Sequence, residues 1–176
     1  IFRMVPRPVR GLSLTAVIVL CAAAVSYGVS NANPTIWQMQ WPKTDFSQKS
    51  VDLDEIRSGG PGKDGIPAID KPRFQSLKKV IAEKSYSAKE PVIGLVLNGD
   101  ARAYPLQFLM WHEIVNDVVG GIPVTVTYCP LCNSAIVFDR RVAGRILDFG
   151  VSGDLRKSDM IMYDRQTESW WQQFLG

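Results

Sequence analysis

Cys129 and Cys132 are separated only by Pro130 and Leu131 in the stretch VTVTYCPLCNSAIVF, residues 124–138. Two thiolates two residues apart, in a turn after a strand, can grip one soft metal ion at about 2.3 Å per sulfur. The same spacing serves dithiol–disulfide exchange, in which one sulfur attacks and the other resolves. It also suits a plain local disulfide in an oxidising compartment. A c-type haem site is excluded, because Asn133 stands where that motif needs His. A thioredoxin-type pair opens a helix, whose dipole lowers a thiol pKa. Here the sequel NSAIVFDRRV is rich in β-formers, which argues against that motif. A strand–CPxC–strand hairpin looks like half of a zinc knuckle, and the second pair of such a knuckle is absent from the sequence. Metal clamp, redox pair and disulfide therefore all stay open.

Two cysteines supply two ligands. The single histidine, His112, lies 17 residues before Cys129 on the element that precedes the cysteine strand. It is the candidate third ligand, and zinc or copper suits such a sulfur–imidazole set. Three protein ligands with one open position are the pattern of a catalytic rather than a structural zinc site. The competing reading makes His112 a helix-border side chain bonded to a backbone carbonyl or to Asn116. Carboxylates gather downstream at Asp139, Asp148, Asp154, Asp159, Asp164 and Glu168. Asp139, just after the cysteine hairpin, is the candidate acid/base or outer partner of the site. Its competing role is an edge residue paired with a neighbouring arginine. Ser152 in GVSGD does not match the GxSxG of a nucleophile elbow, and no histidine is spare for a triad if His112 is a ligand, which argues against a serine hydrolase.

The elements that must position these residues are mostly strands. RFQSLKKVIAEKS (73–85) places Phe74, Leu77, Val80 and Ile81 on one stripe of a short amphipathic helix. Asn98-Gly99, between two β-rich runs, signals a hairpin because both residues tolerate positive φ. The apolar spacing of Met110, Trp111, Ile114, Val115 and Val118 predicts a helix from Leu106 to Val118, stopped by Gly120-Gly121. Strands are then expected at 123–128, 135–141, 145–151, 160–164 and 170–174, joined by the turns CPLCNS, VAGR, SGDLRKS and RQTES. The fold class is α+β: mainly an antiparallel β-meander sheet with one or two packed helices, and the CPLC turn at a sheet end.

Charge separates the chain into parts. Of 20 basic and 17 acidic residues, Arg3, Arg7 and Arg10 fall in the first 32 positions, which hold no acid. The remainder is balanced, 17 against 17, so the basic surplus that a nucleic-acid surface needs is missing. FRMVPRPVR followed by GLSLTAVIVLCAAAVSYGV has a basic lead and an uncharged apolar run, and SNA offers small residues for cleavage. Residues 1–32 are thus expected to be a signal peptide or an N-terminal membrane anchor. The body would be exported, periplasmic or otherwise extracytoplasmic, with the membrane as a partner if the segment is retained. Cys21 lies inside the apolar run and lacks the small preceding residue that lipidation requires. Residues 33–63 read as a linker and lead-in, in which Trp37 and Trp41 are amphipathic anchors that dock on the domain or sit at a membrane interface, docking being the expectation.

DGIPAIDKPRF, PVIGLVLNGDARAYPL, WHEIVNDVVGGIPVTVTYCPLCNSAIVFDR and FGVSGDLRKSDMIMYDRQTESWWQQ together resemble the bacterial and archaeal family called domain of unknown function 3179. The resemblance covers residues 64–176 and keeps the motifs in order. It implies export, and it implies further sequence beyond Gly176, so that the chain is expected to be C-terminally truncated. The pattern falls on Trp111, His112, Glu113, Asn116, Asp117, Tyr128, Cys129, Cys132, Phe138 and Asp139. It continues on Gly150, Ser152, Gly153, Ser158, Asp159, Tyr163, Asp164, Arg165 and Trp171. Asn133 replaces the glycine common after the second cysteine, and DLRKSD is more basic than the usual loop. The resemblance names no reaction. The expectation is an exported protein whose Cys129/Cys132 pair, with His112, binds a soft metal or does thiol chemistry. The alternative is a non-catalytic envelope module with a structural CxxC disulfide. Whether the chain is an enzyme stays open.

Overall fold

The computed structural model describes residues 34–176; the basic and apolar N-terminal segment, with Cys21, lies outside the described residues. In chain order the elements are α1 (Pro34–Gln40), β1 (Ile56–Ser58), β2 (Ile69–Asp70), α2 (Leu77–Glu83), β3 (Val92–Leu97), β4 (Asp100–Pro105) and α3 (Leu106–His112). They continue as β5 (Ile114–Val119), β6 (Ile122–Cys129), β7 (Ser134–Asp139), β8 (Arg141–Val142), β9 (Arg145–Ile146), β10 (Phe149–Arg156), β11 (Asp159–Asp164) and β12 (Trp170–Gln172). The chain is mainly β, with a few short helices.

Two four-stranded sheets carry the structure, in the orders β1-β10-β11-β12 and β2-β5-β6-β7. All pairings are antiparallel except β2 with β5. β3–β4 and β8–β9 are separate hairpins. Side chains alternate across a strand, and that alternation sorts the core into layers. Met160 and Met162 of β11 share one cluster with Ile114, Cys129, Phe149 and Val151, so this cluster joins the two sheets. Ile161 and Tyr163 of the same strand point to the other side, into a cluster with Trp37, Trp41 and Ile56. On the second sheet Val115, Val124, Val126 and Tyr128 meet Tyr104 and Leu109 from the β3–β4 hairpin and α3. The lead-in is therefore built into the fold: Trp37 and Trp41 are buried, and β1 pairs with β10.

The hairpin at Asn98-Gly99 forms as its residue types require, with φ of 49° and 79°. Helix α3 departs from the expected Leu106–Val118. It ends at His112, Glu113 takes φ 58°, and the next six residues are β5. Ile114, Val115, Val118 and Val119 are β-branched, stiff at χ1 and suited to a pleated ladder. Their spacing fits either period, and pairing with β6 decides for the strand. Met110 and Trp111, expected on the core side, are instead 51% and 78% exposed.

The stretch SGDLRKS is likewise not one turn. β10 runs on to Arg156 through a register shift between Val151 and Leu155, and the chain reverses at Lys157-Ser158, both at positive φ. The expected strand 145–151 is split between β9 and β10. Gly153 makes the bulge possible: its φ is +86°, and an added Cβ would run into the Pro61 carbonyl. Ser152 serves the same bulge, donating to the Ile161 carbonyl and accepting from the Asp154 N–H. The bulge also holds the 59–64 loop, because the Gly59 N–H donates to the Gly153 carbonyl at 2.7 Å. Gly153→Ala combines a left-handed residue with a backbone clash and is expected to cost about 2–5 kcal/mol. Urea unfolding reads it directly; a loss below about 1 kcal/mol would mean the loop simply moves aside.

Candidate functional site: a dithiol–carboxylate group

β6 ends at Cys129, the chain turns through Pro130-Leu131-Cys132-Asn133, and β7 starts at Ser134. Asn133, at φ 49°, takes the left-handed turn that its residue type tolerates. The turn lies at one end of the inter-sheet core. The β10–β11 reversal brings a second piece of chain to the same end, so that Asp159 opens β11 beside the cysteines. Cys129 Sγ, Cys132 Sγ and a carboxylate oxygen of Asp159 all lie within 4.8 Å of one another. Both cysteines are free thiols.

The hydrogen bonds around this group are specific. Cys129 Sγ donates to the Ser158 carbonyl at 3.7 Å. Cys132 Sγ lies 3.6 Å from Asp159 Oδ1 and 3.0 Å from Ser134 Oγ. The Phe174 N–H donates to Asp159 Oδ2 at 3.0 Å. Gln173, fully buried, fixes the orientation of Ser134: its Nε2 donates to Thr127 Oγ1 and to the Ser134 carbonyl. Its Oε1 must then accept from the Ser134 hydroxyl, at 2.6 Å. The carboxylate of Asp159 is 3% exposed, and among the described residues no lysine or arginine forms an ion pair with it. Burial, helped by the hydrogen bond with Cys132, pushes the Cys129 thiol up to about 11. A nucleophilic cysteine needs the opposite shift.

The structure does not bring His112 into the group. Its Nδ1 lies 2.7 Å from the Pro67 carbonyl, which can only accept, so Nδ1 carries the proton. This is the carbonyl bond that one reading of His112 expects, and it leaves Nε2 of the neutral ring without a proton. Asp139 also sits elsewhere. It pairs with Val124 in the ladder while Cys129 pairs with Ser134, five residues and about 17 Å away along the strand. Its exposed carboxylate is held by the Arg141 side chain and N–H, which pull its pKa down to about 2. Asp159, in its place, is one of the downstream carboxylates to which the sequence assigns no role. Only the β10–β11 register, Arg156 against Asp159, sets it at the cysteine end.

Glu113 is a neighbouring group with a shifted proton. It sits half-buried where α3 breaks into β5, and burial pushes its carboxyl up to about 7. A carboxyl raised above its unfolded value of 4.5 binds its proton more tightly when folded. Its stabilising contribution is complete below about pH 4.5 and is lost as pH rises through about 7. Glu113→Gln should therefore flatten the fall in stability from pH 5 to 8, by about 1–2 kcal/mol after discounting for solvent screening. Urea midpoints of wild type and variant across that range measure it. Parallel pH profiles would assign the fall to other groups.

A two-sheet β domain with a buried dithiol–carboxylate group at one end of its inter-sheet core is the class that these features define. Residues 63–176 match the family described as protein of unknown function (DUF3179), and the chain belongs to that family. No curated protein and no solved structure matches the chain. Among the described residues no helix is long and apolar enough to cross a membrane.

Proposed function

We propose that Cys129, Cys132 and Asp159 bind one soft or borderline metal ion, zinc or copper. The observation that carries this reading is the convergence of two sulfurs and one buried carboxylate oxygen within 4.8 Å, with no cationic side chain among the described residues paired to the carboxylate. A buried charge is costly unless it is paired or coordinates a metal. Donors around one tetrahedral zinc sit about 3.5–3.8 Å apart, so the group needs to contract by about 1.3 Å at most. The metal takes the place of the thiol protons. Three protein donors leave a fourth position for water or a small ligand. The Ser134–Gln173–Thr127 chain beside Cys132 is the outer support such sites use to orient a ligand.

Thiol redox chemistry is less well supported, because the cysteine turn leads into a strand and the Cys129 thiol is raised rather than lowered. The reading includes export to an extracytoplasmic compartment, on the strength of the basic and apolar N-terminus. The test is elemental analysis with a thiol count on the full chain recovered from that compartment. One equivalent of zinc or copper is expected, with both thiols unreactive until a chelator is added. No metal and no free thiol would replace the metal reading with a structural disulfide. No metal and two reactive thiols would replace it with a dithiol.

A further inference from the structure

Helix α2 carries an apolar stripe that no core covers. Leu77 and Ile81 are 74% and 67% exposed, and no residue of α2 is buried; Phe74 just before the helix is 43% exposed, with its ring edge-on to Tyr104 at 5.5 Å. In a helix of a globular domain such a stripe ordinarily faces the interior. Here α2 stands beside a groove of about 1370 Å³ bordered by the β3–β4 hairpin and α3. The outer face of α3 extends the same surface. Phe108 makes an edge-to-face ring contact with Tyr86, just beyond α2, at 6.3 Å. Trp111, three residues after Phe108 and so on the same helix face, is exposed too.

The charge around this stripe is mostly basic. Lys71, Arg73, Lys78, Lys79, Lys84 and Lys89 fall in residues 71–90 with only Glu83 and Glu90 against them. Of the 17 basic and 17 acidic residues in 33–176, this segment thus takes six and two, giving it +4 and the remainder −4. All six basic side chains are exposed. Among the described residues, the only ion pair within the segment is Lys79 with Glu83, at 3.8 Å. Neither core packing nor internal pairing accounts for so concentrated a charge beside the exposed Leu77, Ile81 and Trp111.

We propose that α2 with its flanks, together with the outer face of α3, is a docking surface for an anionic lipid bilayer. Apolar side chains bordered by lysine and arginine are what such an interface takes: the first enter the acyl boundary, and the second pair with anionic headgroups. Trp111 belongs at the headgroup level, where an amphipathic ring has one apolar and one wet side. The proposal does not depend on the metal reading.

Trypsin reads the surface in the full chain, because it cuts after Arg73, Lys78, Lys79 and Lys84. The chain is mixed with vesicles of phosphatidylcholine alone or of phosphatidylcholine with phosphatidylglycerol. Both samples carry the same N-terminal segment, and because its three arginines also favour anionic lipid, the unchanged distant cuts and the double variant below separate its effect from that of α2. On the anionic vesicles these cuts should slow about tenfold, and high salt should restore them. Cuts after the exposed Arg145 and Lys157 should not change. Leu77→Asp with Ile81→Asp, at positions too exposed to affect folding, should cancel the protection. Equal cutting on both vesicle types overturns the proposal. Protection without any vesicles also overturns it, and assigns the stripe to closure over the groove. Protection by an acidic protein but not by anionic vesicles overturns it in favour of a protein partner.

Discussion

Cys129→Ser should remove the bound metal and leave the domain folded. Serine is nearly isosteric with cysteine, and its hydroxyl can still donate to the Ser158 carbonyl that now receives the thiol. The cost of placing a hydroxyl in the buried cluster of Ile114, Phe149, Val151, Met160 and Met162 is about 1–3 kcal/mol, since one hydrogen bond survives. The loss of metal affinity is much larger. A serine hydroxyl does not ionise at neutral pH and is no substitute for a thiolate on a soft ion. The loss should exceed the ~10–100-fold that removal of an outer-shell partner costs. Asp159→Asn retains an acceptor for the Phe174 N–H but loses the charge, and should weaken binding by at least about tenfold. Two controls make the assignment specific. His112→Ala and Asp139→Asn touch the two sequence candidates that the fold places outside the group, and both should retain one equivalent. Metal titration of the four variants decides the matter. Full retention in Cys129→Ser would sink the metal reading, and loss in His112→Ala would restore the histidine as a ligand.

The cysteine turn was legible because its information is local. The spacing, the flanking β-formers and an asparagine tolerant of positive φ all lie within 15 residues. The Asn98-Gly99 hairpin was legible for the same reason. Asp159 was not, because its place depends on a reversal 29 residues after Cys129 and on a bulge that absorbs three residues of β10. SGDLRKS reads as a loop by composition, and only pairing on both sides turns most of it into strand. Helix α3 fails at its C-terminal half for a related reason. Ile114, Val115 and Val118 satisfy a helical stripe as well as a two-residue alternation, and the choice is made by β6, which is remote from any window on α3. Gln173 and Ser134 carry no motif at all. Their role follows from the crossing of β7 and the chain after β12 at the cysteine end.

Trp41→Ala should produce the largest loss of stability, although Trp41 lies in the segment that composition marks as a linker. Its ring is 1% exposed, packs edge-on to Tyr163 at 4.7 Å and to Trp170 at 5.3 Å, and carries the Lys63 ammonium 4.4 Å above it. Truncating a buried aromatic of this kind costs about 3–5 kcal/mol. Among the described residues the indole Nε1 has no hydrogen-bond partner, so its removal gives back a little of that. Against a total stability of about 5–15 kcal/mol, the remaining loss is a large share. Trp41→Phe retains most of the apolar area and should lose less than half as much. The effect should also reach the cysteine end. Trp41 packs on the face of β11 opposite Met160 and Met162, and β11 begins with Asp159. Loosening that strand should weaken metal binding in Trp41→Ala even though no donor is touched. Urea unfolding and metal titration of the same protein test both statements. A stability loss under about 1 kcal/mol would make residues 34–58 a strap on a domain that stands without it. A large loss with unchanged metal affinity would mean that the cysteine turn alone holds Asp159 in place.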